Sequence, residues 1–214
     1  MRHPNTRAIA DYWESLKEGE GTPARDDLSP SDLSSLLANV FILQKLDGEH
    51  AVFRLAGTNL CSLYQREFRE HNFLGLWQGA DRMHMAALLA AAAIAPGPAI
   101  ALAGAETIDG RKIKAEIFLA PLAGADGEVD RYLGLFQPLS GEDALGGRPL
   151  IRQHLIALYP PNAHAAPSRR MAPAQAERQA PAPRRARPAL RLVADNSAAM
   201  ARDMAQADAG ATPA

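Results

Sequence analysis

At 214 residues, the chain is long enough for one well-buried core, or for one domain followed by a tail. Its single cysteine, Cys61, excludes an intramolecular disulfide and argues against a zinc-finger framework. No charged and then apolar signal stretch opens the chain, and no apolar run approaches the length that spans a bilayer. We therefore expect a cytoplasmic location and no membrane span.

The composition changes near Tyr159. No aromatic residue follows this position, whereas eight of the 16 prolines do. Such a segment buries too little apolar surface to offset its ordering entropy, so residues 160–214 are predicted to be disordered. This tail carries eight Arg against four acidic residues, which leaves 15 basic and 20 acidic residues in 1–159. We interpret it as a solubilising tail, although a basic arm could also contact nucleic acid, an acidic partner or an anionic membrane.

An amphipathic helix is predicted at the N-terminus. Asn5 or Thr6 is expected to cap it. Apolar side chains then recur at the spacing of one helix face: Ile9, Tyr12, Trp13 and Leu16. This helix must dock somewhere, so Tyr12 and Trp13 are candidates for dimer packing or for capping the domain.

A second helix is predicted to begin at Ser29, which can act as its cap. Pro30 would occupy the first helical position, where its missing N–H is harmless. The pattern places Leu33, Leu36 and Leu37 on the buried side of this helix.

The next segment is predicted to form an antiparallel hairpin. Two β-rich runs, 40–43 and 51–55, flank an Asp-Gly turn signal at 47–48. Strict alternation along the second run predicts that Phe53 and Leu55 share one face.

Three helical pieces are predicted to follow this hairpin. The first begins near Thr58, the second near Asn72 and the third near Asp81, and the third ends at about residue 95. The third helix has a buried stripe made of Met85, Leu88, Leu89 and Ala92.

Three more strands are predicted after the helices. They cover 99–106, 111–121 and 131–139, with an Asp-Gly hairpin signal at 109–110. Apolar side chains occupy both faces of the last of these strands, so we expect it to lie centrally in a sheet. The apolar segment 150–158 stays unassigned.

The order of helix, helix, two strands, three helices and three strands resembles that of a PAS domain. The resemblance is carried by Phe53-Arg-Leu-Ala-Gly-Thr58, Cys61, Phe73-Leu-Gly-Leu-Trp77, Asp81-Arg82, Gly110-Arg111, Pro121-Leu122 and Leu133-Gly134. These residues look like those of the bacterial stand-alone PAS proteins. The resemblance implies an α+β fold with a five-stranded antiparallel sheet and the helical block between strands 2 and 3. It divides the chain into an N-terminal helix and linker (1–27), a PAS-like domain (28–150), and an end segment with its tail (151–214).

Enzyme motifs are absent from the sequence. There is no nucleophile elbow, Walker loop, zincin motif or dinucleotide fingerprint, and the carboxylates have no spacing that suggests an acid/base pair. We predict no catalytic residue and no metal site. A small α+β lyase or isomerase remains an alternative, and it would need a buried carboxylate or His with a shifted pKa beneath the helices.

His84 is the candidate cofactor residue. Haem-binding PAS sensors ligate iron through a histidine of the helix that precedes the third strand, so the resemblance makes His84 a possible haem ligand. On the helix, His84 lies about 90° from the centre of the buried stripe, which is also typical of a partly exposed histidine. We therefore expect no cofactor, with haem as the alternative.

Cys61 and its neighbours are expected in the interior. Cys61 is interpreted as a small buried hydrophobe. Flavin-photosensing PAS domains use a cysteine within an Asn-Cys-Arg-Phe-Leu type motif, which Cys61-Ser-Leu-Tyr lacks. A ligand pocket, if one exists, would be lined by Phe53, Cys61, Tyr64, Trp77 and Met85.

The resemblance implies a non-enzymatic sensory or regulatory protein without an attached kinase. It would act by contacting itself, as a homodimer, or a signalling partner, and a small ligand would shift that association. An electrostatic nucleic-acid binder is a further alternative. The basic stretch 184–191 has no interleaved aromatic side chains for base stacking, so nucleic acid is not the expected partner.

Overall fold

The computed structural model of the chain describes residues 3–19, 21–140 and 142–161. The helices and strands follow the order α1 (Pro4–Ser15), β1 (Val40–Lys45), β2 (Ala51–Ala56), α2 (Thr58–Tyr64), α3 (Gly79–Ile94), β3 (Ala99–Thr107), β4 (Lys112–Ala123), β5 (Val129–Pro138) and β6 (Leu150–Tyr159). Short 3₁₀ helices occupy Arg25–Asp27, Phe73–Leu76 and Glu142–Leu145. The predicted disorder of 160–214 concerns residues outside the described ranges, apart from the first two.

The strands form one antiparallel sheet in the order β2-β1-β5-β4-β3-β6. The sequence predicts five strands, and this number is wrong by one. The unassigned segment pairs with β3 as β6, and its first residue coincides with the predicted domain end at 150. Two register shifts along this pairing disturb the alternation of buried and exposed side chains in β6, which removes the period-2 signal from the sequence.

Both faces of the sheet are covered. On the inner face, as we call it, α2, the Phe73–Leu76 helix and α3 pack over the strands, as expected for helices inserted between strands 2 and 3. The opposite, outer face carries α1. Strand β5 contributes Tyr132 and Phe136 to the inner core and Leu133 and Leu135 to the outer core, which confirms its predicted central position.

Helix α1 begins two to three residues earlier than the predicted caps. His3 is its N-cap, and the His3 Nδ1 accepts a hydrogen bond from the Asn5 amide at 3.1 Å. Ile9 and Trp13 are buried against the outer face. The Trp13 indole N–H donates to the carbonyl of Pro121 at 2.8 Å, which fixes this helix on β4.

The second predicted helix is replaced by a run of turns over residues 30–39. Its amides donate three residues back, as in Asp32 to Ser29 at 3.2 Å and Leu36 to Leu33 at 2.8 Å. A three-residue repeat places Leu33 and Leu36 on one face, so both are buried, whereas Leu37 is 38 % exposed.

A β-bulge separates Phe53 from Leu55. Leu43 pairs with Phe53, but the preceding Ile42 pairs with Leu55, so Arg54 is an extra residue in β2. Phe53 therefore lies in the inner core, while Leu55 is displaced to the outer side and is 44 % exposed. The predicted shared face for Phe53 and Leu55 is wrong, because a bulge inverts the alternation beyond it.

Candidate functional site

The predicted pocket residues lie together on the inner face. Phe53, Tyr64, Trp77 and Met85 are buried members of one apolar core, and Cys61 packs at its margin. Strand β2 and helix α2 supply Phe53, Cys61 and Tyr64. Trp77 follows the Phe73–Leu76 helix, and Met85 comes from α3. The arrangement brings together all five residues, although lining of a ligand pocket stays a prediction.

Aromatic rings fill much of this layer. The Phe53 ring lies 4.9 Å from that of Phe68 and 5.7 Å from that of Phe73. The Tyr64 ring meets those of Phe68 at 5.3 Å and Phe136 at 6.1 Å. Edge-to-face and tilted pairs of this kind stabilise a densely packed interior, so a ligand would have to share or displace this packing.

A small cavity opens between α3 and the β1–β2 turn. It has a volume of about 40 Å³, and its lining includes Ala86, Leu89 and Tyr132. A water molecule occupies about 30 Å³ in the liquid, so this space is far below the several hundred Å³ of a drug-sized ligand site. Burial raises the pKa of Tyr132 to about 12, and its hydroxyl donates to the Leu89 carbonyl at 2.9 Å.

A polar pair crosses the apolar layer. The Tyr64 hydroxyl donates to Oε1 of Gln153 at 2.6 Å, and both side chains are buried. Burial raises the pKa of Tyr64 well above its ordinary value, so the phenol stays protonated. The Gln153 Nε2 is buried and finds no acceptor among the described residues. Sequence reasoning missed Gln153 because its strand was unassigned. The available signal was a short polar run, Arg152-Gln153-His154, inside an otherwise apolar segment.

Helix α3 is fastened to β6 through its first turn. A carboxylate oxygen of Asp81 accepts the amide of Leu155 at 2.9 Å. Leu155 stands two residues from Gln153 along β6. The sixth strand is therefore held by α2 through Tyr64, by α3 through Asp81, and by the ladder with β3.

His84, the predicted haem candidate, lies on α3 one turn after Asp81 and is half-buried. Its Nδ1 is buried without a hydrogen-bond partner in the described structure. The Nε1 of Trp77 is also buried and lacks an acceptor in the described ranges. An imidazole nitrogen without a partner suits an iron ligand, but the 40 Å³ cavity on the other flank of α3 does not reach His84.

Cys61 is half-buried on α2, with its Sγ 3.9 Å from Oε2 of Glu67. Burial and, to a smaller extent, the Glu67 carboxylate raise the pKa of the Cys61 thiol. A thiol whose pKa is raised is a weak nucleophile at neutral pH.

Tyr12 and Trp13 both contact other parts of the same chain. Trp13 is a buried member of the outer core, and its indole N–H is bonded to the Pro121 carbonyl. The Tyr12 hydroxyl accepts the Ser29 amide at 2.7 Å and anchors the segment that follows α1. Of the two predicted roles, the capping of the domain is the one these contacts serve, and contact with another chain stays a prediction.

Ionisable groups beneath the helices are scarce. The carboxyl of Glu116 is buried, but it lies on the outer side of β4, where it accepts the backbone amide of His3 at 3.1 Å. Across 3–19, 21–140 and 142–161, no group of three His, Cys, Asp or Glu side chains could hold a metal ion. Among the helices of these ranges, none combines the length and apolar character needed to cross a bilayer.

Comparison with protein families finds a match over residues 1–137 to the model described as PAS domain. The chain belongs to the PAS domain family. The match includes α1, so the N-terminal helix is part of the family pattern in this PAS protein. Strand β6, which carries Gln153 and Leu155, lies after the matched range. Asp81, which accepts the Leu155 amide, lies within it.

Solved structures similar to this PAS protein include several light-oxygen-voltage (LOV) domains. One is a LOV domain with a flavin analogue, at 18 % identity and a TM-score of 0.40, covering 54 % of this chain and 87 % of that one. Another is the Rhodobacter sphaeroides LOV protein, at 13 % identity and a TM-score of 0.40, covering 66 % and 70 %. At these values nothing about cofactor or activity transfers to the present chain. The comparison with curated proteins finds no match.

Proposed function

We propose that this PAS protein is a non-enzymatic regulator that acts through protein–protein contacts, with itself or with a signalling partner. In this proposal a small ligand, bound on the inner face, shifts those contacts. The support comes from membership of a largely sensory family and from a core built of aromatic and aliphatic side chains.

The Tyr64–Gln153 pair is the observation that carries the ligand part of the proposal. A buried donor without an acceptor costs about 1–3 kcal/mol. The Nε2 of Gln153 is such a donor within the described structure, so a ligand carbonyl or carboxylate oxygen would satisfy it. Because Gln153 lies on β6, the same ligand would change how this strand is held.

Strand β6 then provides the output of the proposed switch. It has two register shifts against β3 and depends on side-chain contacts from α2 and α3. A ligand that binds the docked strand more tightly than the released strand shifts the population between them, and only such a difference can do so. The chain beyond Tyr159 follows directly from this strand.

Native mass spectrometry of the full chain, purified from its own host, tests the ligand. We expect a bound small molecule, and we expect its occupancy to fall in Gln153→Met, which removes both polar atoms at similar volume. Gln78→Met, on an exposed side chain before α3, is the matched control and should keep wild-type occupancy. Equal occupancy in the two variants, or no bound molecule in any preparation, would contradict the proposal.

A haem sensor is the second candidate, because the Nδ1 of His84 is buried and unpartnered within the described ranges. Absorbance of protein expressed with added haem decides this point. A haem sensor would show a Soret band that disappears in His84→Ala and persists in the control His71→Ala, whose ring is exposed. Absence of the band in the wild-type chain would remove this candidate.

A further inference from the structure

A groove crosses the outer face at the β1–β2 end of the sheet, away from α1. It has a volume of about 440 Å³, and its walls carry three arginines, Arg25, Arg54 and Arg131. Ile42 and Leu55 form its apolar floor. We call this surface the arginine groove. Its volume lies within the range of about 300–1,000 Å³ that is common for small-molecule sites.

The bulge in β2 builds one side of this groove. In a regular strand, consecutive residues point to opposite faces, so only one of Arg54 and Leu55 could reach the outer side. Because Arg54 is the extra residue of the bulge, both line the groove. Bulges often aim side chains at binding sites in this way.

Gln44 lies between two of the arginines and binds one of them. The Arg54 Nε donates to Gln44 Oε1 at 2.6 Å, and Arg54 Nη1 donates to Glu70 at 2.6 Å. Arg131 is the cross-strand partner of Gln44 on β5. Its Nε is 3.9 Å from Asp130, beyond hydrogen-bond distance, and its guanidinium donates to no side chain in the described part of the protein.

The remaining wall is anchored to the sheet. The Ala123 amide donates to the Pro23 carbonyl at 2.9 Å, and Ala24 forms a bridge with Ala123. These contacts hold the short helix that bears Arg25, whose Nη1 pairs with Asp26 at 3.3 Å. Each arginine has a carboxylate partner, Asp26 at 3.3 Å, Glu70 at 2.6 Å and Asp130 at 3.9 Å. Of these acids only Asp26 lines the groove, so the lining itself carries three positive charges and one negative charge.

We propose that the arginine groove binds a small organic anion that has a short apolar body. A guanidinium presents five N–H donors, so Arg54 keeps donors beyond those used by Gln44 and Glu70, and Arg131 keeps all of its own. Their fork geometry matches a carboxylate. The apolar body of the ligand lies on Ile42 and Leu55, the latter 44 % exposed in its absence. This site is separate from the inner face and does not depend on the ligand of Gln153.

Titration of the ¹⁵N-labelled full chain with octanoate, followed by NMR, tests the assignment. We expect saturable shifts of the amides of Ile42, Arg54, Leu55 and Arg131. Octanol and octylammonium share the apolar body without the negative charge, and each should bind about tenfold more weakly or not at all. Shifts that map to inner-face residues such as Met85 would overturn the proposal.

Variants separate charge from apolar contact. Arg54→Gln and Arg131→Gln should each weaken octanoate binding about tenfold, and Leu55→Ala should weaken it severalfold. Arg69→Gln, on an exposed arginine outside the groove, should leave it unchanged. The two arginines are tested separately, so loss of folding in one variant, visible as lost spectral dispersion, leaves the other informative. Unchanged affinity in both would overturn the assignment.

Two further outcomes distinguish other occupants. Tighter binding of the acetylated peptide Glu-Leu-Glu than of octanoate, with the same dependence on Arg54 and Arg131, would overturn the small-anion assignment in favour of an acidic protein segment. Groove amides that shift on dilution of the ligand-free protein would show that a second copy covers this surface, which also overturns it.

Discussion

Gly57 lies where the chain leaves β2 for α2, and at this point two backbone segments touch. A Cβ on Gly57 would lie 2.3 Å from the Ala38 carbonyl oxygen and 2.4 Å from that of Leu37. The φ angle of Gly57 is −66°, which any residue adopts, so close approach and not conformational freedom requires glycine here. The Gly57 amide also donates to the Val40 carbonyl at 2.8 Å, so the contact cannot open without losing this bond.

Gly57→Ala is therefore expected to destabilise the fold by about 2 kcal/mol or more, because backbone atoms must move to admit one methyl group. Gly48→Ala is the matched control, since a Cβ there meets open space, and it should change the free energy of unfolding by less than about 0.5 kcal/mol. Urea unfolding followed by circular dichroism measures both. Equal urea midpoints for the two variants would show that the backbone at Leu37 and Ala38 can move away from residue 57 without loss of stability.

The buried phenol of Tyr132 is expected to make the fold less stable at alkaline pH. Burial raises the pKa of its phenol from the ordinary value of about 10 to about 12, so the folded state holds this proton more tightly than the unfolded state. The contribution is complete below about pH 10 and is lost as the pH rises from 10 to 12, to a total of at most about 3 kcal/mol. We expect the urea midpoint to fall over this interval, and to fall less in Tyr132→Phe. The same slope in wild type and variant would count against this assignment of the shift.

At the scale of elements, the edge strand β6 is held by side chains of two helices as well as by its ladder with β3. The Leu155 amide points away from β3 and is satisfied by the Asp81 carboxylate, while Gln153 accepts from Tyr64. These two contacts join β6 to residues that precede their partners by 89 and 74 positions in the chain.

Asp81→Ala should accelerate hydrogen exchange of the Leu155 amide about tenfold, because the exposed edge of β6 loses its acceptor. Asp81→Asn keeps an amide oxygen at the same position and should stay near wild type. Both variants remove the charge at the start of α3, so their difference isolates the hydrogen bond from the helix-dipole effect. Equal exchange in the two variants would assign the effect to charge instead.

At the scale of the whole molecule, charge is unevenly distributed along the chain. Residues 1–159 carry 15 basic and 20 acidic residues, and the last 55 carry eight Arg against four acids. This asymmetry fits two hypotheses equally well. In one the protein is a regulator and the tail only keeps it soluble, and in the other the tail binds nucleic acid. Salt dependence separates them, because contacts to phosphates weaken steeply as salt rises.

We expect the full chain to elute from duplex DNA below about 150 mM salt. Replacing Arg184, Arg185 and Arg187 together by Gln should make little difference, because the regulatory proposal gives these arginines no phosphate to bind. Retention of the wild type above that salt concentration, lost in the triple variant, would favour the nucleic-acid alternative.

Much of the fold was predictable because its signals are local. Alternation identified β4 and a continuous apolar run identified β5. Turn residues placed the hairpins, and the apolar stripe of α3 identified its buried face. The five predicted pocket residues fell into one core because each already lay on the apolar side of its own element. The turns at 30–39 were missed because a three-residue and a 3.6-residue repeat both place Leu33 and Leu36 on one face.

The sequence by itself determined β1 to β5, the helices α1 to α3, and that a helical block covers one side of an antiparallel sheet. Only the tertiary structure decided that β6 joins β3, that Leu55 turns outward beside Arg54, and that Tyr64 meets Gln153. Periodicity records the environment of a residue within its own element. A bulge, or a contact between residues 89 positions apart, depends on how two elements align in space, and no local pattern encodes that alignment.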